Sequence, residues 1–401
     1  MNLRNPLLKI ENLKMHINTY EGKIKAVDGV DLELFAGEII GIVGESGSGK
    51  SMTSRTILKL LPEGGEVISG KITFKGRDIL QSSEEEIRTI RGSKISFIFQ
   101  NPATFLNPVL KIGDQIIENI ILHQKIKKKD ANESAIRLLT DVGLRNVDKI
   151  IDCYPHQLSG GMQQRAMIAM AISCNPDLII ADECTTALDV TTQLQILNLL
   201  KDISKKINTS IIIITHNLAV VAYLCTRTYV MYEGKTIEEA KTNDLFFDPK
   251  HDYTKKLLKS SRIIDEDKFY STEGESEILK VERIKKIFRL PRTKDPLNAV
   301  DNVSFKLKEG EIFGIAGESG SGKTTIANLL MGLLNVTSGE ITFLNKEINE
   351  FVKKDRKKFR KNIQMIFQSP FGSLNPRKTI GSILSLPINI HFKNTKDKTK
   401  E

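Results

Sequence analysis

The sequence predicts an α/β fold with a parallel core sheet, built twice along one chain, and three observations predict it. A stretch reading AVDGVDLELFAGEIIGIVGESGSGKS at residues 26–51 returns as AVDNVSFKLKEGEIFGIAGESGSGKT at residues 299–324, with 17 of 26 positions identical. Each copy passes from an apolar strand pattern through a glycine-rich turn into a helix pattern. Further apolar runs of strand length, LIIA at residues 178–181 and IIII at 211–214, suit strands buried on both faces of a sheet.

Composition permits this. The chain has 401 residues, 40% apolar and 27% charged, which is enough to bury a large core and excludes disorder as the overall state. No uninterrupted apolar run approaches the roughly 18 residues of a membrane helix. Residues 1–10 show no apolar stretch before a small-residue cleavage site, so the expected location is the cytoplasm. Cys153, Cys174, Cys184 and Cys225 lack C-x-x-C spacing, which argues against a disulfide framework or metal cluster and for buried thiols.

The net charge of +10 is uneven. Residues 277–401 carry 24 Lys+Arg against 13 Asp+Glu, whereas residues 1–276 carry 35 against 36. Such asymmetry suits a nucleic-acid or anionic-membrane surface, or a solvated lysine-rich face or tail as at residues 353–361 and 393–400; the last is favoured.

The repeat also sets the organisation. SGKITF at 69–74 answers SGEITF at 338–343, and IFQNPATFLNP at 98–108 answers IFQSPFGSLNP at 366–376. A period this long means a duplicated domain. The first copy continues for about 150 residues beyond its counterpart of Pro376, whereas 25 residues follow Pro376 in the second. A complete module is expected over residues 1–260, a polar linker over 261–276, and the N-terminal half of a second module over 277–401.

Gly44, Glu45, Ser46, Gly47, Ser48, Gly49, Lys50 and Ser51 fit G-x-x-x-x-G-K-[ST], and Met52 follows on the helix. Gly317, Glu318, Ser319, Gly320, Ser321, Gly322, Lys323 and Thr324, followed by Thr325, fit it again. Glycines let backbone N–H groups turn inward around phosphate oxygens at the positive end of a helix. Lys50 and Lys323 are the expected contacts to β/γ-phosphates, and Ser51 and Thr324 to Mg²⁺. The run at 178–181 ends in Asp182-Glu183; a carboxylate there can hold Mg²⁺, and its neighbour can polarise an attacking water. Between these motifs, Leu158-Ser159-Gly160-Gly161-Met162-Gln163-Gln164-Arg165 opens a second anion-binding helix start. A second cradle makes sense if it closes on ATP held by another domain.

These residues resemble the ATP-binding-cassette (ABC) ATPases, members of the P-loop NTPases. LSGGM-QQR is similar to the family's signature, with Ser159, Gly160, Gly161 and Gln163 as its nucleotide contacts. Gln100 stands at the Q-loop, Ala187-Leu188-Asp189 at the D-loop and His216 at the γ-phosphate switch. The resemblance covers residues 7–258. It implies a parallel core, an antiparallel β subdomain (about 8–35 and 69–74) and a helical signature subdomain (about 102–171). It also implies Lys50, Glu183, Gln100 and His216 as catalytic residues, Mg²⁺ on Ser51, Gln100, Asp182 and Thr324, and ATP as the nucleotide. The second copy supplies Lys323, Thr324 and Gln368 but, within residues 277–401, no signature, carboxylate pair or switch histidine. It is expected to bind nucleotide, hydrolyse it poorly and show an open apolar sheet edge.

The stretches 100–108 and 248–254 (DPKHDYT) resemble ATPases of dipeptide, oligopeptide and nickel importers. That implies a peripheral protein on the cytoplasmic face of the membrane, working with two permease subunits and an extracytoplasmic solute-binding protein, with no nucleic-acid partner. With two phosphate loops but one signature turn, a second ATPase subunit or self-association is expected. A soluble tandem ATPase acting on ribosomes or DNA, and a truncated non-transporting fragment, remain the alternatives. Two positions depart from the family: Cys184 replaces a proline, and Ile17 occupies the adenine-stacking position, leaving Tyr20 as substitute and Phe288 as the candidate in copy two.

Overall fold

The computed structural model describes residues 5–20, 22–186, 188–261, 276–289, 296–318, 320–367 and 370–392. The chain divides into two units, Met1–Asp265 and Glu266–Glu401.

The first unit holds two sheets. Strands β1 (Leu8–Thr19), β2 (Gly22–Leu34), β4 (Gly65–Phe74) and β5 (Arg77–Asp78) form an antiparallel sheet of order β2-β1-β4-β5. Leu8 sits opposite both Leu34 and Phe74, so the apolar residues of three strands meet on one face. The larger sheet has order β10-β9-β3-β8-β7-β6, from β3 (Ile39–Val43), β6 (Ile95–Ile98), β7 (Leu178–Asp182), β8 (Ser210–Ile214), β9 (Arg227–Tyr232) and β10 (Lys235–Lys241). All its pairings are parallel except β9 with β10.

Every residue of β3, β7 and β8 is buried, which explains why these strands read as unbroken apolar runs. Alternation survives as a split between two cores. Ile40, Ile42, Ile180 and Ile212 enter the core shared with the antiparallel sheet, while Ile39, Val43, Ile179 and Ile211 enter the one shared with the helices. Gly41 is small for a reason: a Cβ there would lie 2.8 Å from Val221 on the helix Leu218–Leu224. The helices Ile112–Gln124, Lys128–Asp141 and Gly160–Ile172 complete the second core.

The helix after the first phosphate loop ends at Ile57. Lys59 turns left-handed (φ 52°), and Leu61, as the residue before Pro62, is the one that proline keeps out of helical backbone. The signature helix starts at Gly160, with Ser159 serving as its cap. Cys184 and Cys225 are buried, but Cys153 and Cys174 are only half-buried, correcting the expectation of four buried thiols.

The second unit forms one antiparallel sheet of order β12-β11-β13-β14, from β11 (Glu277–Phe288), β12 (Leu297–Lys308), β13 (Ser338–Phe343) and β14 (Lys346–Glu347). The core around it is built on Val281, Ile284, Ile341 and Phe359. Residues 311–316, the counterpart of β3, pair with no strand among the described residues, and Ile312, Phe313 and Ile315 are exposed. In place of the expected open edge of a parallel sheet, the second unit shows an exposed apolar segment that forms no strand among the described residues. Most of the expected linker, 262–275, and the lysine-rich run 393–400 lie outside the described residues.

Candidate active site

The first phosphate loop joins β3 to the helix Lys50–Ile57, whose cap, Gly49, adopts φ 94° and ψ 0°. A Cβ at Gly49 would lie 2.3 Å from the Ala26 carbonyl oxygen, so this corner requires glycine on both steric and dihedral grounds. The helix has no side-chain cap and no acidic residue in its first turn, which leaves its N–H groups and positive dipole end for an anion. Lys50 Nζ donates to the Gly44 carbonyl at 2.9 Å, the Glu45 carbonyl at 2.6 Å and Ser48 Oγ at 3.2 Å. Burial pushes the Lys50 ammonium below its ordinary pKa, opposed by Glu183, Asp182 and Glu45. A buried cation ringed by neutral acceptors suits a phosphate.

The carboxylate pair ends β7, which lies two strands from β3 in the sheet, with β8 between them. Asp182 Oδ1 accepts from Ser51 Oγ at 2.9 Å. Burial raises its pKa, moderated by that bond and by Arg55. A buried carboxylate next to a hydroxyl, with no direct ion pair, fits a small divalent cation completed by water and phosphate oxygens.

Glu183 has φ 46°, the left-handed region, and its N–H donates to the Ile214 carbonyl at 2.8 Å. Three side chains seat its carboxylate. Gln100 Nε2 donates to Oε2 at 2.7 Å, Thr186 Oγ1 donates to Oε2 at 3.3 Å, and His216 Nδ1 lies 3.0 Å from Oε1. Three chain segments, at residues 100, 183–186 and 214–216, thus meet at this carboxylate. Strain held at such a point is a mark of function.

The structure brings together Gly44, Glu45, Ser48, Lys50, Ser51, Gln100, Asp182, Glu183 and His216. The exposed Ser46 and Gly47 form the loop tip, and Met52 packs against the antiparallel sheet's core. The signature residues form a separate site. Ser159 Oγ accepts from the Met162 N–H, and Gln163 Nε2 donates to the Pro155 carbonyl at 2.7 Å and the Leu158 carbonyl at 3.2 Å. None of these bonds reaches residues 44–52. Gly160 faces open space, and a Cβ on Gly161 would crowd Thr192 at 3.0 Å. Tyr20 is fully exposed, whereas Ile17 packs against the core. Asp189 caps the helix Val190–Ile207, accepting from the Thr192 N–H and hydroxyl, both at 2.9 Å; Ala187 lies outside the described residues.

Cys184 is buried and burial pushes its thiol up to about 12, so it stays a neutral packing group where the family has proline.

Sequence reasoning missed Thr186 on Glu183 and two props behind the phosphate loop. The Glu45 N–H donates to Tyr253 Oη at 3.0 Å, and the Gly234 N–H to the Ser48 carbonyl at 3.1 Å. Tyr253 in turn rests on Tyr232, with ring centroids 4.3 Å apart. No local pattern joins residues 208 positions apart.

In the second unit the loop geometry recurs. Gly322 has φ 94° and ψ 2°, and Lys323 Nζ donates to the Gly317 and Glu318 carbonyls, both at 2.6 Å. Gly320, Ser321 and Thr324 line this open loop and Thr325 follows on its helix, while Ser319 and Gln368 lie outside the described residues. Among the described residues no carboxylate accepts a hydrogen bond from Thr324 as Asp182 does from Ser51. Phe288 lies with its ring centroid 5.2 Å from Lys286 Nζ.

A strand, a glycine loop and a helix, flanked by a carboxylate strand, define a nucleotide-phosphate hydrolase of the P-loop class. The ABC transporter family model matches residues 27–186 and 300–400, and the chain belongs to that family. Its reaction is ATP hydrolysis. The chain is 40% identical over 392 residues to the peptidoglycan transport ATP-binding protein YejF of Agrobacterium fabrum, covering 96% of this chain and 71% of that one. It is 38% identical over 420 residues to the glutathione import ATP-binding protein GsiA of Escherichia coli K12, covering 96% and 67%. Among solved structures, the dimeric ATP-binding cassette MJ0796 bound to ADP and Pi matches with TM-score 0.53 at 29% identity, over 59% of this chain and 98% of that one. CbiO1 of Clostridium perfringens matches with TM-score 0.53 at 27% identity, over 61% and 92%. No helix among the described residues is long and apolar enough to cross a membrane.

Proposed function

We propose that this chain hydrolyses ATP at the Lys50–Glu183 site to power uptake of a peptide-containing solute through a membrane permease. The observation that carries this reading is the seat of Glu183, held by Gln100, His216 and Thr186 one residue from the Asp182–Ser51 pair. Lys50 and the N–H groups at the start of its helix bind the β- and γ-phosphates. Ser51, Asp182 and Gln100 would hold Mg²⁺, which supplies charge neutralisation on those phosphates. Glu183 accepts a proton from the attacking water, and His216 steadies Glu183 and contacts the γ-phosphate. Ser159, Gly160, Gly161 and Gln163 present a second anion site that closes on ATP held by another cassette, so that loss of the γ-phosphate lets the pair part.

The cargo class follows the relatives named for glutathione and peptidoglycan. The partners are two permease subunits, an extracytoplasmic solute-binding protein and a second cassette, at the cytoplasmic membrane face. Gln100 and residues 101–108 relay closure to the permease. Lys323 and Thr324 bind a nucleotide that this unit turns over slowly. The decisive experiment is Glu183→Gln in the full chain. ATP binding should persist, turnover should collapse, and the trapped protein should copurify with a permease. Unchanged turnover, or copurification with ribosomes instead, would refute the reading.

A further inference from the structure

The internal duplication provides a control that most single-cassette proteins lack, because the surface slots of the module's N-terminal half occur twice in one chain. One slot differs sharply in charge between the two copies. In the first unit, the helix Glu84–Ile90 precedes β6 and opens with Glu84, Glu85 and Glu86. In the second, the helices Ile348–Lys354 and Arg356–Asn362 fill the same place before residues 363–367.

The anchor is shared. Arg91 Nε donates to the Leu58 carbonyl at 2.8 Å, and Arg360 Nη1 donates to the Met331 carbonyl at 2.7 Å, with Leu58 and Met331 at matching positions of the repeat. Aligned on those arginines, residues 84–92 carry two cations and three anions, whereas residues 353–361 carry seven cations and one anion. The fold does not demand this positive charge, since the first copy builds the slot without it.

Nor does the second unit neutralise it. Phe359 is fully buried and packs against Phe343 and Phe351, so the helix is firmly seated while its other faces look outward. Lys354 pairs with Glu350 at 3.4 Å, Lys361 lies over the Phe392 ring, and Asp355 is spent as a helix cap accepting from the Lys358 N–H. Lys353, Arg356, Lys357 and Lys358 are exposed and form no ion pair among the described residues. In the first unit the residue matching Lys353 is Glu84, which forms an ion pair with Arg91.

We infer that Lys353, Arg356, Lys357 and Lys358 form a docking surface for the anionic phospholipid headgroups of a membrane, a contact the first copy does not make. A rigid, uncompensated cluster of lysine and arginine gains from an anionic surface through many weak, long-range attractions, without a shaped pocket. Membrane lipid is favoured over nucleic acid because the chain belongs to a transporter family. The proposal rests on the membrane reading above but not on catalysis.

The test is co-sedimentation of the full chain, without nucleotide or permease, with vesicles of phosphatidylcholine alone or with one-third phosphatidylglycerol. Binding should require the anionic lipid and weaken steeply with salt. Reversing the cluster (Lys353→Glu, Arg356→Glu, Lys357→Glu, Lys358→Glu) should lower partitioning by about tenfold or more, and the four-glutamine variant should fall between. Denaturant unfolding of the full chain, with the second unit's transition kept, checks that each variant is folded, and ATP binding at the Lys50 site separates failure of this proposal from failure of the ATPase reading. An equal loss on reversing Lys127, Lys128 and Lys129 in the first unit would overturn it, by showing net charge alone at work. So would a loss seen only when Lys393, Lys396, Lys398 and Lys400 are reversed, or binding to duplex DNA that exceeds binding to anionic vesicles.

Discussion

His216 Nδ1 lies 3.0 Å from one carboxylate oxygen of Glu183 while Gln100 Nε2 donates to the other at 2.7 Å. The group assigned to water is thus fixed from both sides. Glu183→Gln keeps the shape and removes the proton acceptor, so kcat should fall by about 10²-fold or more with ATP affinity within a few-fold. Single-turnover hydrolysis and equilibrium binding of ATP measure the two separately.

Lys50 and Asp182 are both held at a cost to the empty protein. Burial lowers the pKa of Lys50 and raises that of Asp182, so the folded state disfavours the charged form of each. For Asp182 the sign is that stability present at low pH is lost as pH rises from 3.8 through the raised folded value. For Lys50 stability is lowest at neutral pH and recovers as pH rises through the depressed folded value towards 10.5. At pH 7, Asp182→Asn and Lys50→Met should therefore raise the apo Tm, by roughly 2–4 °C for a change near 1 kcal/mol. Both should abolish the further Tm rise that MgATP gives the parent. Calorimetry with and without MgATP reads both arms.

Gly49→Ala tests the loop corner. Its Cβ meets the Ala26 carbonyl oxygen at 2.3 Å in a left-handed conformation, so the loop must move. ATP binding measured by titration should be lost, whereas Gly47→Ala, with no atom within 4 Å of the added carbon, should bind within about tenfold of the parent.

Tyr253→Phe removes the acceptor for the Glu45 N–H but keeps the ring on Tyr232. A hydrogen bond of this kind contributes about 0.5–1.5 kcal/mol, so KM for ATP should rise roughly 2- to 12-fold with kcat nearly constant. Steady-state kinetics separate the two parameters.

The two copies also make a matched pair for packing. Ile42 is fully buried in β3, while its counterpart Ile315 is 42% exposed. Ile42→Ala should cost about 2–5 kcal/mol and Ile315→Ala under about 1 kcal/mol, as read by denaturant unfolding.

Much of this was legible in the residues themselves. The phosphate loops, the carboxylate pair and the capped signature helix depend on neighbours a few positions apart, so spacing alone exposes them. Glu183 was legible as a residue, but its left-handed backbone and its bond to Thr186 were not. Tyr20 marks another limit: its ring is fully exposed, and neither its place in the sequence nor its exposure assigns it to the adenine.

Local chemistry along the chain determined the α/β class, the duplication and the identities of Lys50, Asp182, Glu183 and His216, because glycine dihedrals, helix starts and apolar periodicity act over short range. Tertiary structure decided which groups meet: Gln100 and His216 on Glu183, Tyr253 behind Glu45, and the exposed Ile312 and Ile315 where buried Ile39 and Ile42 stand in the first copy. Those outcomes depend on whether a parallel strand lies alongside, and strand pairing between distant segments is a property of the assembled sheet, not of either segment's residues.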